Sequence, residues 1–122
     1  MRLRAARVWV MQDDRSANVA FADSLKDPAA YVAITRELAP DAMSRRLGMD
    51  GVYVEINDKA CSAWRAATSC TFDGRELRIV VAQAALAKLD LTGDLRIELA
   101  EPEMNTDELR AALAAIFADE QE

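Results

Sequence analysis

The residue types that most enzymes use for proton transfer are scarce in this chain. It has no histidine, which removes the usual general base, the usual triad member and the commonest metal ligand. Its two cysteines, Cys61 and Cys70, have no evident activating group, and they are too few for a structural zinc site. In a reducing compartment they are expected as free thiols; whether they ever pair is left open by spacing alone. Carboxylates are the remaining chemistry. Asp50, Glu55 and Asp58 fall close together, and such a group could hold a cation or act as a hydrolytic pair. Carboxylates at the ends and on the open side of a strand are far more often plain solvated surface. Tyr53 shares the face of Glu55, and Trp64 follows soon after. An aromatic beside a carboxylate on an open sheet face suits protein binding, because tyrosine and tryptophan are enriched at interface hot spots. Trp64 reads somewhat more readily as core. Glu98, Glu101, Glu103, Asp107 and Glu108 surround the last loop and could face a basic partner. The Arg45-Arg46 pair could touch a phosphate, but reads first as a solvated loop.

The elements that must position these groups are read from periodicity. Gly51 to Asp58 is the organising stretch: Val52, Val54 and Ile56 alternate with Tyr53, Glu55 and Asn57, the pattern of a half-buried strand. Arg4–Met11 reads as a first strand, with Val8 and Val10 on one face and Trp9 and Met11 on the other. Gln12–Ala17 reads as a turn, and Asn18–Ala22 as a second strand that could form a hairpin with the first. Ser24–Pro28 reads as a loop, Tyr31–Glu37 as a strand, Ala39–Gly48 as a loop or single helical turn, and Asn57–Ser62 as a connection. Trp64–Phe72 is predicted as a strand with Trp64, Ala66, Thr68, Cys70 and Phe72 on one face. Asp73-Gly74 signals a hairpin into Glu76–Val81. Gln83–Leu89 reads as a short helix and Asp94–Leu99 as a last strand, with a parallel crossover between the flanking strands as one option. Leu109, Ala112, Leu113, Ile116 and Phe117 form a helical stripe, capped by Asn105 or Thr106, with a capping-box spacing from Asn105 to Glu108. The acidic tail Asp119–Glu122 is expected to fray.

At 122 residues the chain is expected to be one domain spanning 1–122. The predicted class is α+β: a mostly antiparallel sheet of about six to seven strands, with a C-terminal amphipathic helix and one short helix packed on one face. Val8–Met11 is too short an apolar run for a signal peptide and no stretch approaches a membrane span, so a cytoplasmic protein is expected. The net charge of −6 resides wholly in residues 62–122, the first half being balanced. That field disfavours nucleic acid and anionic membrane and favours a basic partner, although mild acidity also serves solubility.

Several stretches together resemble the immunity protein 10 family of bacterial polymorphic toxin systems. They are Phe21-Ala22-Asp23, Asp27-Pro28, Tyr31 to Arg36, Gly48-Met49-Asp50, Val52 to Asp58, Phe72 to Leu77, and the closing helix with Leu113, Ile116 and Phe117. The match runs through roughly residues 18 to 118 in order. Lys59 stands where the family commonly has glutamine, as does Thr35. The resemblance implies a small cytoplasmic protein without catalysis or cofactor that binds and neutralises a cognate toxin domain, a basic one such as a nuclease fitting the acidic half. Tyr53, Glu55, Asp58 and Trp64 on the sheet face, with Glu101 and Glu103 in the last loop, are the expected partner-binding residues. Two other classes stay open: a small-molecule or cation site, or small enzyme, built on Asp50, Glu55 and Asp58, and a self-associating adaptor that exposes a sheet edge. Monomer and homodimer are both compatible with the sequence.

Overall fold

The computed structural model describes residues 1–23 and 30–118, together with every side chain in them but that of Lys59. The expected loop at Ser24–Pro28 and the expected frayed tail lie outside the described residues. The class is α+β and mostly antiparallel, with a C-terminal helix and a short helix, as anticipated. The strands are more numerous than expected and divide into two sheets. Side chains from both sheets and the C-terminal helix join one hydrophobic core.

The predicted first strand is in fact two, β1 (Arg2–Ala5) and β2 (Arg7–Gln12). The reason is a change of parity. Leu3 and Ala5 are buried, and so Val8 and Val10 could not face the same core on one unbroken strand. The chain breaks at Ala6, whose N–H donates to Ala22 at 2.8 Å. β1 then enters one sheet and β2 the other.

β2 runs antiparallel to β3 (Ser16–Ala22), β3 to β4 (Tyr31–Glu37), β4 to β5 (Tyr53–Ile56) and β5 to β6 (Asp58–Ala63), completing a five-stranded sheet. The β2–β3 hairpin closes on Asp13, whose carboxylate accepts from the N–H groups of Arg15 (2.8 Å) and Ser16 (2.9 Å). Val19 and Phe21, Val32 and Ile34, Val54 and Ile56 all point into the core, so the alternation expected for these strands holds. β6 replaces the expected connection at Asn57–Ser62. Its sequence Asp-Lys-Ala-Cys-Ser-Ala has little β propensity; pairing with β5 makes it a strand, after Asn57 turns the chain at φ 63°. α1 (Ala42–Arg46) is the single turn foreseen between β4 and β5, with Asp41 capping it through the Ser44 N–H at 2.7 Å.

The four-stranded sheet has the order β1, β9 (Leu95–Leu99), β8 (Glu76–Val81), β7 (Ala67–Phe72). The Asp73-Gly74 hairpin is present: Gly74 takes φ 101° and Asp73 accepts from Arg75 and Glu76. Trp64 does not lie on this strand. Arg65 turns the chain at φ 54°, β7 begins only at Ala67, and a register shift between Ala67 and Ser69 breaks the single face expected from Trp64 to Phe72. Gln83–Leu89 yields a 3-10 turn, Gln83–Ala85, whose Ala85 is buried together with Leu89. β8 and β9 on either side are antiparallel, not a parallel crossover; the parallel neighbour of β9 is β1. The connection 82–94 makes a 3-10 turn and not the longer helix that would carry the chain back for parallel pairing.

α2 (Asp107–Ile116) starts at Thr106, whose hydroxyl accepts from the Leu109 N–H at 3.1 Å. Asn105 ends the preceding 3-10 turn Pro102–Met104 instead of capping α2, so the capping box does not form. The predicted stripe is buried in full and packs behind β3, β2 and β4. The opposite face of the five-stranded sheet carries no helix among the described residues.

Candidate functional site

Register fixes which side chains share that open face. Val8, Val10, Val19, Val32, Ile34 and Val54 turn inward, so their neighbours turn out. Across the sheet Trp9 lies beside Ala20, Ala20 beside Ala33, Ala33 beside Glu55, and Glu55 beside Ser62. The next row holds Met11, Asn18, Thr35 and Tyr53. Alanine in the middle makes a shallow trough. Trp9 and Met11, 45% and 72% exposed, stand on one side of it, and the Glu55 group stands on the other, about 14 Å away at three strand spacings.

Glu55 is held by two tyrosines. Tyr31 donates its hydroxyl to one carboxylate oxygen at 2.6 Å and Tyr53 donates to the other at 2.8 Å. The hydrogen bond to the Glu55 carboxylate, with some burial and the same negative charge, raises the Tyr31 phenol to about 12. Burial first, then Glu55, raises Tyr53 against a lowering hydrogen bond from Ser62. Both hydroxyls therefore stay protonated as donors at neutral pH, while the carboxylate keeps lone pairs free for another donor. Trp64 reaches this group from the turn after β6, its ring centroid 4.8 Å from that of Tyr53 at 50°. Asp58 stands beside Tyr31 and adds to the pressure on its phenol, while its own carboxylate accepts from the Ala60 N–H at 2.9 Å. At the far edge, the Arg7 guanidinium lies 5.4 Å over the Trp9 ring, within cation–π range.

Three expected residues, Tyr53, Glu55 and Trp64, thus meet on one face; Asp58 pairs with the inward-facing Ile56 and lines a separate cleft with Cys61 and Leu89. Glu101 and Glu103 do not join them. They stand, exposed, at the 3-10 turn between β9 and α2, and α2 packs behind the sheet. Nor do Asp50, Glu55 and Asp58 converge as a cation or hydrolytic site. Asp50 precedes β5 and is bound by Arg65 at 2.6 Å, Asp58 lies beyond the other end, and Glu55 between them is occupied by tyrosines. Among the described residues no group of three or more potential metal ligands exists. Arg45 lines a cleft of about 440 Å³ with Arg36 and Arg65; Arg36 is committed to the Ile116 carbonyl at 2.8 Å and Arg65 to Asp50. Cys61 and Cys70 are free. Burial raises both thiols, Cys70 to about 12, which makes them poor nucleophiles.

Tyr31 and Trp9 are members of the site that sequence reasoning left out. The signal existed in both cases: Tyr31 alternates with the buried Val32, and Trp9 with the half-buried Val8 and Val10. With them included, every tyrosine and tryptophan of the chain lies on this one face, while its three phenylalanines line the core.

An aromatic sheet face that carries no helix among the described residues, with a fixed carboxylate on it, is chemistry suited to binding another protein. A family model described as immunity protein 10 matches residues 3–121. The chain belongs to that family, and with it to the toxin-neutralising immunity proteins, a class that binds a cognate toxin and is generally non-catalytic. A comparison with curated proteins finds no match. No helix of the described residues is long and apolar enough to cross a membrane.

Proposed function

We propose that the protein neutralises its toxin by seating a basic surface of the toxin domain on the open face of the five-stranded sheet. Tyr31, Tyr53, Glu55 and Trp64 form the centre, Asp58 an acidic margin and Trp9 the far wall. One observation supports the reading: both tyrosines and Trp64 cluster around a single carboxylate on a face that carries no helix among the described residues, with Trp9 across the same face. Such residues dominate interface energetics because they bury much area at little entropic cost. A carboxylate already fixed by two donors presents its remaining lone pairs to a guanidinium or ammonium group without further ordering. The acidic second half of the chain raises the encounter rate with a basic domain, and a nuclease is the toxin class that best fits. Glu101 and Glu103 contribute to that long-range field and not to the contact. The protein acts in the cytoplasm, where the toxin arrives.

The test is capture from the native host with a tagged protein, washed at low and then high salt, followed by co-expression of the recovered toxin domain with the wild type, Trp64→Ala and Glu55→Lys. Wild type is expected to protect growth and release its partner with salt. Trp64→Ala is expected to weaken binding by about 2 kcal/mol without loss of fold. Full protection by both variants removes this face from the interface.

A further inference from the structure

The two sheets leave four edge strands, and three of them carry features that discourage another strand from joining. β1 is short and exposes Arg2 and Arg4. β6 and β7 each meet their neighbour through a register shift, which twists an edge away from further pairing. β2 has neither device. It is six residues long, has no proline, bears charge only at Arg7, and pairs with β3 without interruption. The exposed Trp9 and Met11 project from it. An uninterrupted apolar edge of this kind is what natural sheets suppress when no strand is to be added.

The direction of its free backbone groups follows from the hairpin. Asp13 N–H donates to the Ser16 carbonyl at 3.0 Å. By alternation Arg7, Trp9 and Met11 turn their N–H and C=O groups toward β3, and Val8, Val10 and Gln12 turn theirs to the open edge.

We propose that a second copy of this chain pairs along this edge, β2 antiparallel to β2, about a two-fold axis at Val10. In that register Val8 bonds Gln12 of the second copy and Val10 bonds its own counterpart, so each outward group of these residues is used. Trp9 falls opposite Met11 of the second copy at a non-hydrogen-bonded position, where Cα atoms approach to about 4.5 Å. Sulfur against an aromatic ring is favourable there. Arg7 falls opposite Asp13 of the second copy, an opposite-charge pair that the two-fold repeats. Sliding the strands by two residues puts Trp9 against Trp9 and Arg7 against Met11, or Met11 against Met11 and Trp9 against Asp13, and loses both complementary pairs.

Behind the edge a groove of about 710 Å³ lies between β2 and α2, with Val10 and Ala111 in its walls. Because α2 packs chiefly over β3, the two-fold sets the two α2 helices about 14 Å apart, at three strand spacings, and the pairing rests on the β2 edge itself. A toxin segment is the competing occupant of this edge. A second copy fits better, because β2 and its hairpin carry both halves of the complementary set. The product is one continuous sheet with both open faces on the same side, which makes the protein bivalent.

Sedimentation velocity of the full chain tests this. A monomer–dimer equilibrium with a dissociation constant of about 1–100 µM is expected. Val10→Pro deletes the outward N–H at the axis while sparing the β2–β3 ladder, and is expected to weaken the dimer at least about 30-fold. Met11→Lys places a charge on the edge and leaves the backbone intact, with about a tenfold loss. It decides the matter if Val10→Pro does not fold. A wild type that stays monomeric at about 200 µM overturns the proposal, as does a dimer that Met11→Lys leaves at full strength. A monomeric wild type whose Val10→Pro variant loses the toxin assigns the edge to the toxin instead.

Discussion

Glu55→Gln is the most informative single change, because it keeps the shape of the side chain and removes the charge that organises the open face. In the wild type both carboxylate oxygens accept tyrosine hydroxyls, at 2.6 and 2.8 Å. Hydrogen bonds to a charged acceptor contribute about 1.5–3 kcal/mol when sheltered and less where water competes. This face is half-exposed, so the amide is expected to cost about 1 kcal/mol, or roughly 3–5 °C in Tm for a chain of this length. The ionisation of Tyr31 is the sharper readout. Its phenol is raised from 10.0 to about 12, first by the bond to Glu55, which is roughly a hundredfold in the ionisation equilibrium. The chain has two tyrosines, and both are bonded to this carboxylate, so tyrosinate absorbance reports on nothing else. The wild type is expected to show both tyrosines ionising late, with Tyr31 at about 12; in the variant Tyr31 returns toward 10.0. The sign for stability follows: a raised folded-state pKa contributes stability that is complete below 10 and disappears as pH rises toward 12. Wild-type stability therefore falls more steeply across that window than that of the variant. Circular dichroism at each pH separates this from global unfolding. A wild type whose tyrosines both ionise near 10.0, or an unchanged curve in the variant, refutes the two-tyrosine clamp.

Other expectations are narrower. Asp13, Asp41 and Asp73 have carboxyls lowered chiefly by backbone N–H donors in turns and at a helix start; their contribution is complete above their unfolded pKa near 3.8 and is lost as pH falls through the lower folded values, so acid denaturation should begin below pH 3.8. Thr106→Ala removes the α2 cap and is expected to cost about 1 kcal/mol in urea denaturation, with Thr106→Ser restoring most of it. Gly74→Ala is expected to cost more than about 1 kcal/mol, from φ 101° alone, since the added carbon meets only side-chain atoms at ordinary contact distance. Cys70, its thiol raised by burial to about 12, should react with a thiol reagent at pH 8 far more slowly than the unfolded chain does.

Where one face of a strand is buried, period-two alternation was enough to orient it, and the outward position of Tyr53 and Glu55 followed from Val52, Val54 and Ile56. The Asp73-Gly74 turn and the stripe of α2 were legible for the same reason: each is a local rule with a local signal. What escaped depended on distant partners. β6 is a strand because β5 offers it a ladder, not because its residues prefer one. The division into two sheets hung on a parity change, Leu3 and Ala5 against Val8 and Val10, that a single continuous run of β-like residues concealed.

The same distinction explains why the site was half visible. Tyr53, Glu55 and Asp58 are neighbours in sequence, and Asp50 stands near them too, while Glu101 and Glu103 are singled out by charge; proximity in sequence says nothing about which carboxylate another element will engage. Asp50 went to Arg65. Tyr31, 24 residues before Glu55, came to it only through the pairing of Val32 with Ile56 and Ala33 with Glu55. A one-residue slip in that register would turn Tyr31 into the core and release the carboxylate. The buried valines and isoleucines of β4 and β5 are therefore what hold the open face in order: they set the contact of Tyr31 with Glu55 through the register they impose, although none of them is exposed there.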